Sequence, residues 1–585
     1  MNILLVAINA KYIHSNLAVY SLRAYAKEYR NQISICEYTI NNRVDEIIEN
    51  IYWRKPDILA FSCYIWNIEY VNKITKEIRK VLPNTKIWLG GPEAYYNSKN
   101  MLINHPEIDL VMKGEGEETF RELLSMEISH TVKIENILGV DYIDSNGDFV
   151  ENPLRVAMDM STIPFPYEDL KDFENKIIYY ESSRGCPFLC SYCLSSVEKQ
   201  LRFRNIEIVK KELQFFIDNK TSQVKFVDRT FNCNKTHAME IWKYIYEHDN
   251  GITNFHFEVA ADLIGEDELE LMSKMRPGLI QLEIGVQSTN EDTIREIRRK
   301  MDLDKLKQVT TKVHSFNNIH QHLDLIAGLP YEGMDSFKRS FDEVYRMAPD
   351  QLQLGFLKVL AGSYMYDKAD DYGVKYKEYP PYEVMATEWI SYDEILHLKL
   401  IEEMVETYYN SGQFRFTIKA IEKLYESPYK MFEDIGLAYE GILDKNSKHT
   451  RMARYKVLDE FSKSKDVDIT EYLTLDMYLR ENMKTRPPFS KDLSKYKDII
   501  KHIARLLKLE KQNHIEVFKK SVLDEKWICE MLDYEEILLN EIQSENIGLS
   551  NREFVSEKND IVFAIFDYTN RNPLNYQCKL LIVNV

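Results

Sequence analysis

The sequence predicts an α/β protein with three parts: a doubly wound parallel sheet, a partial (β/α)6 barrel and a mainly helical C-terminal region. Two observations support this prediction. Apolar strand-like segments alternate with helix-compatible segments before residue 130, and they do so again from residue 177. After residue 373 the pattern becomes predominantly helical and ends in two strand-like segments. We therefore divide the chain into residues 1–130, a connector over 131–176, the barrel over 177–372 and the mainly α region over 373–585.

The first α/β series contains five strand-like segments, each followed by a helix-compatible segment. The strand-like segments are NILLVAI, ISICEYTI, DILAFSCY, KIWLGG and DLVMKG. In such Rossmann-like sheets, ligands bind outside the carboxyl ends of the strands. The loops at those ends are FSCYIWN (61–67), GGPEAYY (90–96) and GEGEET (114–119). Their glycines permit close approach of the backbone to a ligand, so these three loops predict a binding site.

The connector and the second series follow the same logic. Asn146-Gly147 stands between two alternating apolar segments and predicts a hairpin. Six strand-like segments then recur with polar helix-compatible sequence after each: IIYYESS, VKFVDRTF, FHFEVAAD, LIQLEIGVQS, HLDLIAGLP and LQLGFLKVL. Active sites of (β/α) barrels gather at the carboxyl ends of the strands.

Composition excludes several classes of protein. The net charge of −18 disfavours a broad electrostatic grip on nucleic acid. Short basic runs at 298–300 and 210–211 are interpreted as solvated helix faces. No apolar run is long enough to predict a membrane span, and the N-terminal apolar run indicates a first strand, not a signal peptide. Eight scattered cysteines favour a reducing compartment, so a cytoplasmic protein is expected.

The segment SSRGCPFLCSYCLSS (182–196) crowds three cysteines, Cys186, Cys190 and Cys193, into one loop. Structural zinc usually takes four protein ligands, and no second pair lies nearby. A disulfide would leave one thiol over. Three thiolates suit three irons of a [4Fe-4S] cluster and leave the fourth iron open. The remaining cysteines are interpreted as ordinary buried thiols: Cys36, Cys63, Cys233, Cys529 and Cys578.

The spacing Cys186-xxx-Cys190-xx-Cys193, with Tyr192 before the last cysteine, resembles the signature of radical S-adenosylmethionine (SAM) enzymes. The motifs EIGVQS (283–288) and GLP (328–330) resemble later strand-end motifs of that family. VDRTFN (227–232) replaces its usual glycine-rich motif. The resemblance implies a [4Fe-4S] cluster on the three cysteines, with SAM on the open iron. The implied SAM contacts are Tyr192, Asp228, Glu258, Gln287 and Ser288.

The N-terminal third resembles the cobalamin-binding domain of the vitamin B12-dependent branch of this family, through the loops FSCY, GGPE and GEGEET. The Asp-x-His-x-x-Gly signature of proteins that ligate cobalt through histidine is absent around His14, where Tyr12 and Leu17 occupy the other positions. His14 is therefore either a cobalt ligand or a loop histidine that bonds backbone groups. The implied cobalamin contacts are Ser62, Tyr64, Gly90, Gly91, Glu93, Gly114 and Glu115.

The resemblance implies a cobalamin-dependent radical SAM enzyme that methylates a carbon of a small-molecule or peptide substrate. The substrate is expected between the cobalamin domain, the barrel mouth and the C-terminal region. An electron donor such as flavodoxin or ferredoxin is the expected protein partner, and no membrane partner is expected. The alternatives are a cobalamin-assisted radical cyclase or rearrangement enzyme and a non-catalytic redox or binding protein. The C-terminal region resembles an uncharacterised domain of bacterial B12-binding radical SAM proteins, so neither the substrate nor a catalytic side chain is assigned.

Overall fold

A computed structural model describes residues 1–197, 199–443, 449–483, 485–510, 512–532, 534–538, 560–572 and 576–584. The chain divides into two compact units. The first consists of residues 1–340, 347–349 and 354–395, and the second consists of residues 341–346, 350–353 and 396–585. Within the described ranges, no helix combines the length and apolar character that crossing a membrane requires.

The first unit begins with a seven-stranded sheet of order β2-β1-β3-β4-β5-β6-β7. The first five strands are parallel where they pair, as the alternating pattern predicts. The strands are β1 (Ile3–Asn9), β2 (Ile33–Thr39), β3 (Ile58–Ser62), β4 (Lys86–Gly90), β5 (Leu110–Met112), β6 (Val140–Ile143) and β7 (Phe149–Glu151). The helices are α1 (Leu17–Tyr25), α2 (Val44–Arg54), α3 (Ile68–Val81), α4 (Pro92–Tyr95), α5 (Ser98–Asn104) and α6 (Gly116–Ser129).

Helices cover the sheet because its strands are apolar on both faces. All seven residues of β1 are buried. Leu4, Val6 and Ile8 share one core with α2, α3 and α5. In α3 the buried residues recur every three or four positions, as an amphipathic helix requires: Ile68, Val71, Ile74, Thr75 and Ile78. The carboxyl ends of the strands are left for the loops.

The connector contributes two strands to this sheet. β6 pairs antiparallel with β5, and β7 pairs antiparallel with β6. The predicted hairpin is confirmed: Gly147 in the turn has φ +87°, a conformation that favours glycine. Sequence alone did not indicate that the hairpin extends the parallel sheet.

The second sheet of this unit has six strands in the order β15-β14-β13-β12-β11-β8, which confirms the partial barrel. The strands from here to the end of the unit are β8 (Ile178–Tyr180), β9 (Ser183–Arg184), β10 (Arg202–Phe203), β11 (Gln223–Phe226), β12 (Asn254–Val259), β13 (Ile280–Gln287), β14 (His320–Ala327), β15 (Gln351–Phe356), β16 (Lys375–Tyr376) and β17 (Val384–Ala386). The helices are α7 (Ile206–Asp218), α8 (Lys235–Glu247), α9 (Glu266–Ser273), α10 (Glu291–Glu296), α11 (Leu303–Phe316), α12 (Met334–Arg346) and α13 (Tyr364–Asp367).

Alternation along the barrel strands sorts their side chains onto two faces. In β13 the apolar residues at 280, 282, 284 and 286 are buried, whereas Gln281, Glu283 and Gly285 are only partly buried. In a barrel the helices cover the outer face, so the polar set lies on the inner face. We call this inner face the lumen.

The second unit is mainly helical but contains a four-stranded sheet of order β18-β20-β21-β19. Its strands are β18 (Asn513–Lys519), β19 (Tyr534–Leu538), β20 (Ile561–Arg571) and β21 (Cys578–Asn584). The helices are α14 (Tyr392–Met404), α15 (Arg415–Glu422), α16 (Pro428–Ile442), α17 (Arg451–Ser464), α18 (Thr470–Arg480), α19 (Lys497–Leu506), α20 (Lys520–Leu523) and α21 (Lys526–Met531), with a π-helical segment over Val405–Asn410. β20 and β21 confirm the two strand-like segments predicted at the end of the sequence. β18 and β19 were not predicted.

Candidate active site

The three cysteines lie in one loop, whose two ends are joined by the antiparallel pair β9 and β10. Cys190 is buried, and Cys186 and Cys193 are partly exposed. The N–H of Cys193 donates to the carbonyl of Cys190 at 3.2 Å, so the chain turns tightly between these two thiols. The loop follows β8, which places the thiols at the carboxyl end of the first barrel strand, where a barrel carries its active site.

A buried carboxylate holds the segment just before the first cysteine. Asp228 accepts hydrogen bonds from the N–H of Ser182 at 2.9 Å and from the hydroxyls of Ser182 and Ser183, each at 2.6 Å. Burial raises the pKa of Asp228 to about 6, and the three donors act against that rise. The carboxylate that we predict to contact SAM therefore also fixes the end of β8.

Arg299 lies beside the buried thiol and was misread from the sequence. Its Nη1 is 3.9 Å from Sγ of Cys190, and its Nη2 donates to the carbonyl of Gly285. Burial raises the pKa of the Cys190 thiol, and the Arg299 guanidinium acts against that rise. The basic run at 298–300 does not lie on a helix, because α10 ends at Glu296. Arg298 and Lys300 are exposed, as predicted, whereas Arg299 is partly buried. Arg298 lies 3.5 Å over the ring of Tyr364.

Gln287 shows the clearest mark of a ligand contact among the predicted SAM residues. It is buried, its backbone has φ +74°, and within the described part of the chain its Oε1 has no hydrogen-bond partner. A strained backbone and an unsatisfied buried acceptor tend to occur at functional sites. A donor on a ligand at the end of β13 would satisfy this oxygen.

The other predicted SAM residues lie near the same strand ends. Ser288 donates to Oε1 of the buried Glu332 at 2.7 Å. Burial raises the pKa of Glu258 to about 7, and the nearby Glu283 adds to the rise. Burial also raises the pKa of Tyr192. Their contacts with SAM stay predictions.

The predicted cobalamin residues lie on three loops at the carboxyl edge of the first sheet. Ser62 accepts from Nδ2 of Asn16 at 3.1 Å, and the rings of Tyr64 and Trp66 stack at 4.5 Å. Glu93 accepts from the hydroxyl of Tyr382 at 2.9 Å. Gly90 ends β4, and Gly114 has φ +69°. Cobalamin contacts of these residues stay predictions, as do those of Gly91 and Glu115, described below.

Gly91 occupies a position that a larger residue would strain. Its φ is +103°, and a Cβ there would lie 2.5 Å from the carbonyl oxygen of Cys63. We expect Gly91→Ala to destabilise the first sheet by about 1 to 3 kcal/mol, measured by hydrogen exchange of the β3 and β4 amides. Gly147→Ala is the matched control, because φ is +87° there and no atom lies within 4 Å of the added Cβ. Equal losses in the two variants would refute the steric part of this expectation.

Arg184, two residues before the first cysteine, joins the two candidate cofactor regions. Its guanidinium lies 3.2 Å from Glu115, 2.5 Å from Glu117 and 2.9 Å from Glu181. Arg202 adds a second ion pair to Glu115 at 2.8 Å. Glu115 therefore bonds to the barrel and not only to its own domain. Sequence reasoning missed Arg184, because the sequence does not indicate that this residue lies beside the acidic GEGEE loop. Only the fold brings the two together.

His14 provides a second contact between the first sheet's domain and the barrel. Its Nδ1 lies 2.7 Å from the hydroxyl of Tyr179, and its backbone bridges to Ile177. Burial lowers the pKa of His14. These contacts favour the loop histidine over the cobalt ligand.

Ion pairs of Arg184 thus join the GEGEE loop of the first sheet to the part of the barrel that carries the three-cysteine loop. Three family models match the chain: the B12 binding domain over residues 3–124, the Radical SAM superfamily over 180–344, and a protein of unknown function (DUF4080) over 370–563. The chain therefore carries a B12-binding domain and a radical SAM domain, followed by a C-terminal domain of unknown function.

Individual relatives agree with this assignment. The cobalamin-dependent radical SAM methyltransferase TokK of Streptomyces tokunonensis is 28% identical over 313 residues, which is 50% of this chain and 45% of TokK. The anaerobic magnesium-protoporphyrin IX monomethyl ester cyclase of Synechocystis is 25% identical over 264 residues, 43% of this chain and 52% of that protein. The chain thus matches about half the length of these relatives.

A solved structure shares the fold. The radical S-adenosylmethionine methyltransferase TsrM from Kitasatospora setae, with cobalamin and a [4Fe-4S] cluster bound, has a TM-score of 0.56 at 12% identity. The alignment covers 79% of this chain and 100% of that chain.

The cofactors of the protein are those of its two matched domains: cobalamin, a [4Fe-4S] cluster and SAM. The residues present fit them. Three thiols share one loop, with a guanidinium 3.9 Å from the buried one, and the unsatisfied Oε1 of Gln287 lies at a strand end of the same barrel. At the first sheet, Gly91 brings the β4 loop against Cys63, where a side chain would not fit.

Proposed function

We propose that the protein methylates a carbon atom of a small-molecule or peptide substrate in a cobalamin-dependent radical SAM reaction. The observation that supports this most directly is the junction at Arg184. One guanidinium bonds Glu115 and Glu117, at the loop predicted to hold cobalamin, and lies two residues from the first cluster cysteine. Methyl transfer between two cofactors needs both near one substrate, and this junction fixes the two loops together.

When bound, the reduced cluster and SAM would supply a 5′-deoxyadenosyl radical, and cobalamin would serve as the methyl carrier. The chain's own residues position these groups. Cys186, Cys190 and Cys193 hold the cluster, and Asp228 fixes the strand end from which their loop departs. Gln287 offers Oε1 as an acceptor for a donor of SAM.

Tyr64 extends this assembly from the first domain toward the barrel. Burial raises the pKa of its hydroxyl, while the positive charge of Arg229, in the loop after β11, acts against the rise. The negative charge of Glu181, at the end of β8, adds to it. Both charges belong to barrel strand ends, which supports the proposal that a substrate of both cofactors binds between the predicted cobalamin loop and the barrel.

The test is an anaerobic incubation of the reconstituted protein with cell extract and methyl-labelled SAM, followed by mass spectrometry. We expect substrate-dependent formation of both S-adenosylhomocysteine and 5′-deoxyadenosine, with the label in a new product. One SAM recharges the methyl carrier and a second forms the radical, so the two by-products should appear in similar amounts. Protein reconstituted without cobalamin is the control, and it should yield no more S-adenosylhomocysteine than the extract alone.

A cyclase or rearrangement enzyme is the second candidate, and the similarity to the Synechocystis cyclase favours it. It predicts substrate-dependent 5′-deoxyadenosine without S-adenosylhomocysteine and a product of unchanged carbon count. That result would contradict methyl transfer. No SAM cleavage under a strong reductant, with the cluster assembled, would contradict both candidates and favour a binding or redox protein.

A further inference from the structure

The lumen of the barrel contains a group of ionisable side chains that the proposed reaction does not use. Glu283 on β13 is opposite His322 on β14 in the strand register, and Asp324 follows His322 by two residues. One ligand atom from each of these three side chains lies within 4.8 Å of the others. Alternation along a strand puts residues 322 and 324 on the same face, so all three point into the lumen.

Two atoms of this group are buried without hydrogen bonds. Nε2 of His322 and Oδ1 of Asp324 lie 3.1 Å apart, yet neither has a hydrogen-bond partner among the residues that the structure describes. The His322 side chain is only 9% exposed. An unpaired buried polar atom destabilises the fold unless a ligand or ion satisfies it. One atom or ion bound between them could satisfy both atoms.

The neighbouring charges do not supply that third atom. Lys225 pairs with Oε2 of Glu283 at 2.8 Å, and His256 lies 3.0 Å from the same oxygen. Among the residues that the structure describes, no lysine or arginine lies within ion-pair distance of Asp324. Glu283 therefore already has a cation beside it, and the carboxylate of Asp324 is the charge in this group that a cation from outside the chain could balance.

The ligand set and spacing favour a metal ion over an organic cation. Imidazole and carboxylate together are typical ligands of first-row divalent ions such as Zn²⁺ and Fe²⁺. With metal–ligand bonds of about 2.1 Å, neighbouring ligand atoms lie about 3.0 Å apart at right angles and about 3.4 Å apart in a tetrahedral site. The 3.1 Å between His322 and Asp324 lies between these two values.

We propose that Glu283, His322 and Asp324 bind one divalent transition-metal ion in the lumen, separate from the iron–sulfur cluster. Glu283 lies four residues before Gln287 on β13, which is roughly 10 to 13 Å along a strand. The ion therefore lies deeper in the barrel than the strand ends. Three protein ligands leave positions open, so the ion can also take a donor atom from a bound small molecule. This inference does not depend on methyl transfer.

The test uses the full-length chain with Cys186, Cys190 and Cys193 changed to alanine, so that no cluster iron interferes. Co²⁺ is the probe, measured by equilibrium dialysis and visible absorption. We expect one Co²⁺ per chain, d–d bands without a thiolate charge-transfer band, and a rise in the unfolding temperature that grows with Co²⁺ concentration.

Two near-isosteric variants on the same background, His322→Gln and Asp324→Asn, should each weaken Co²⁺ binding by at least about 100-fold. A folding defect in one leaves the other informative. His248→Gln, at an exposed histidine just after α8, is the matched control and should bind Co²⁺ like its parent.

Three outcomes would overturn the proposal. Absence of saturable Co²⁺ binding would assign the His322–Asp324 contact to a shared proton. Unchanged Co²⁺ affinity in both variants, or a thiolate charge-transfer band, would show that the ion binds at another site. Stabilisation by ethylammonium but not by Co²⁺ would assign the lumen to an organic cation.

Discussion

Replacing Cys190 with alanine will remove the [4Fe-4S] cluster and reduce SAM cleavage to the background rate. We predict that each cysteine of the loop supplies one iron ligand, and a cluster held by three thiolates would have no spare one. Cys190 is the buried member of the set and the one beside Arg299. We expect the same loss for Cys186→Ala and Cys193→Ala. Iron and sulfide content after anaerobic reconstitution, together with 5′-deoxyadenosine formation, measures the effect.

Cys233 makes this test sharper. Burial raises the pKa of its thiol to about 11, and the charge of nearby Cys186 adds to the rise, so a fourth cysteine lies close to the loop. We expect Cys233→Ala to keep the cluster, because its thiol belongs to the turn after β11. Cys529→Ala, in the second unit, is the distant control. Full iron content in the triple-alanine chain, or loss of the cluster in Cys233→Ala, would contradict the three-thiolate assignment.

The parallel first sheet and the partial barrel could be predicted because they rest on local patterns. Apolar segments alternating with helical ones specify parallel sheets, and the Asn146-Gly147 turn specifies a hairpin. The spacing of the three cysteines places them in one loop after β8 for the same reason. Each of these signals is contained in a few neighbouring residues.

Contacts between distant segments could not be read in this way. Arg299 reaches Cys190 across 109 residues, and Arg184 reaches Glu117 across 67. Both pairs depend on how β13 and the first sheet come to lie against the cysteine loop. β18 pairs with β20 across a long separation, and this explains why the C-terminal sheet was only half predicted. Gln287 was found by its motif, but its strained φ and unsatisfied oxygen became visible only in the fold.

Arg184→Ala will destabilise the first unit by about 3 kcal/mol or more. The guanidinium bonds Glu115, Glu117 and Glu181, and all four side chains are largely buried. Glu115 keeps its ion pair with Arg202, but Glu117 and Glu181 lose the guanidinium beside them in a site with little water. Removing one partner of a buried ion pair typically costs 3 to 5 kcal/mol. Arg184→Lys should recover only part of the loss, because an ammonium lacks the planar fork that serves several carboxylates at once.

The pH dependence separates this electrostatic effect from a packing defect. Burial alone would raise the pKa of Glu115, but Arg184, the N–H of Met158 and Arg202 together hold it below its ordinary value. A lowered folded-state pKa stabilises the fold above the unfolded-state value, and the stabilisation is lost as pH falls through the folded-state pKa. The difference between wild type and Arg184→Ala should therefore narrow in acid. Thermal unfolding from pH 7 downward measures it, with Arg295→Ala, an exposed pair with Asp292, as the control. A loss no larger than that of Arg295→Ala at neutral pH, or one that does not change with pH, would show that Arg184 does not join the two regions by charge.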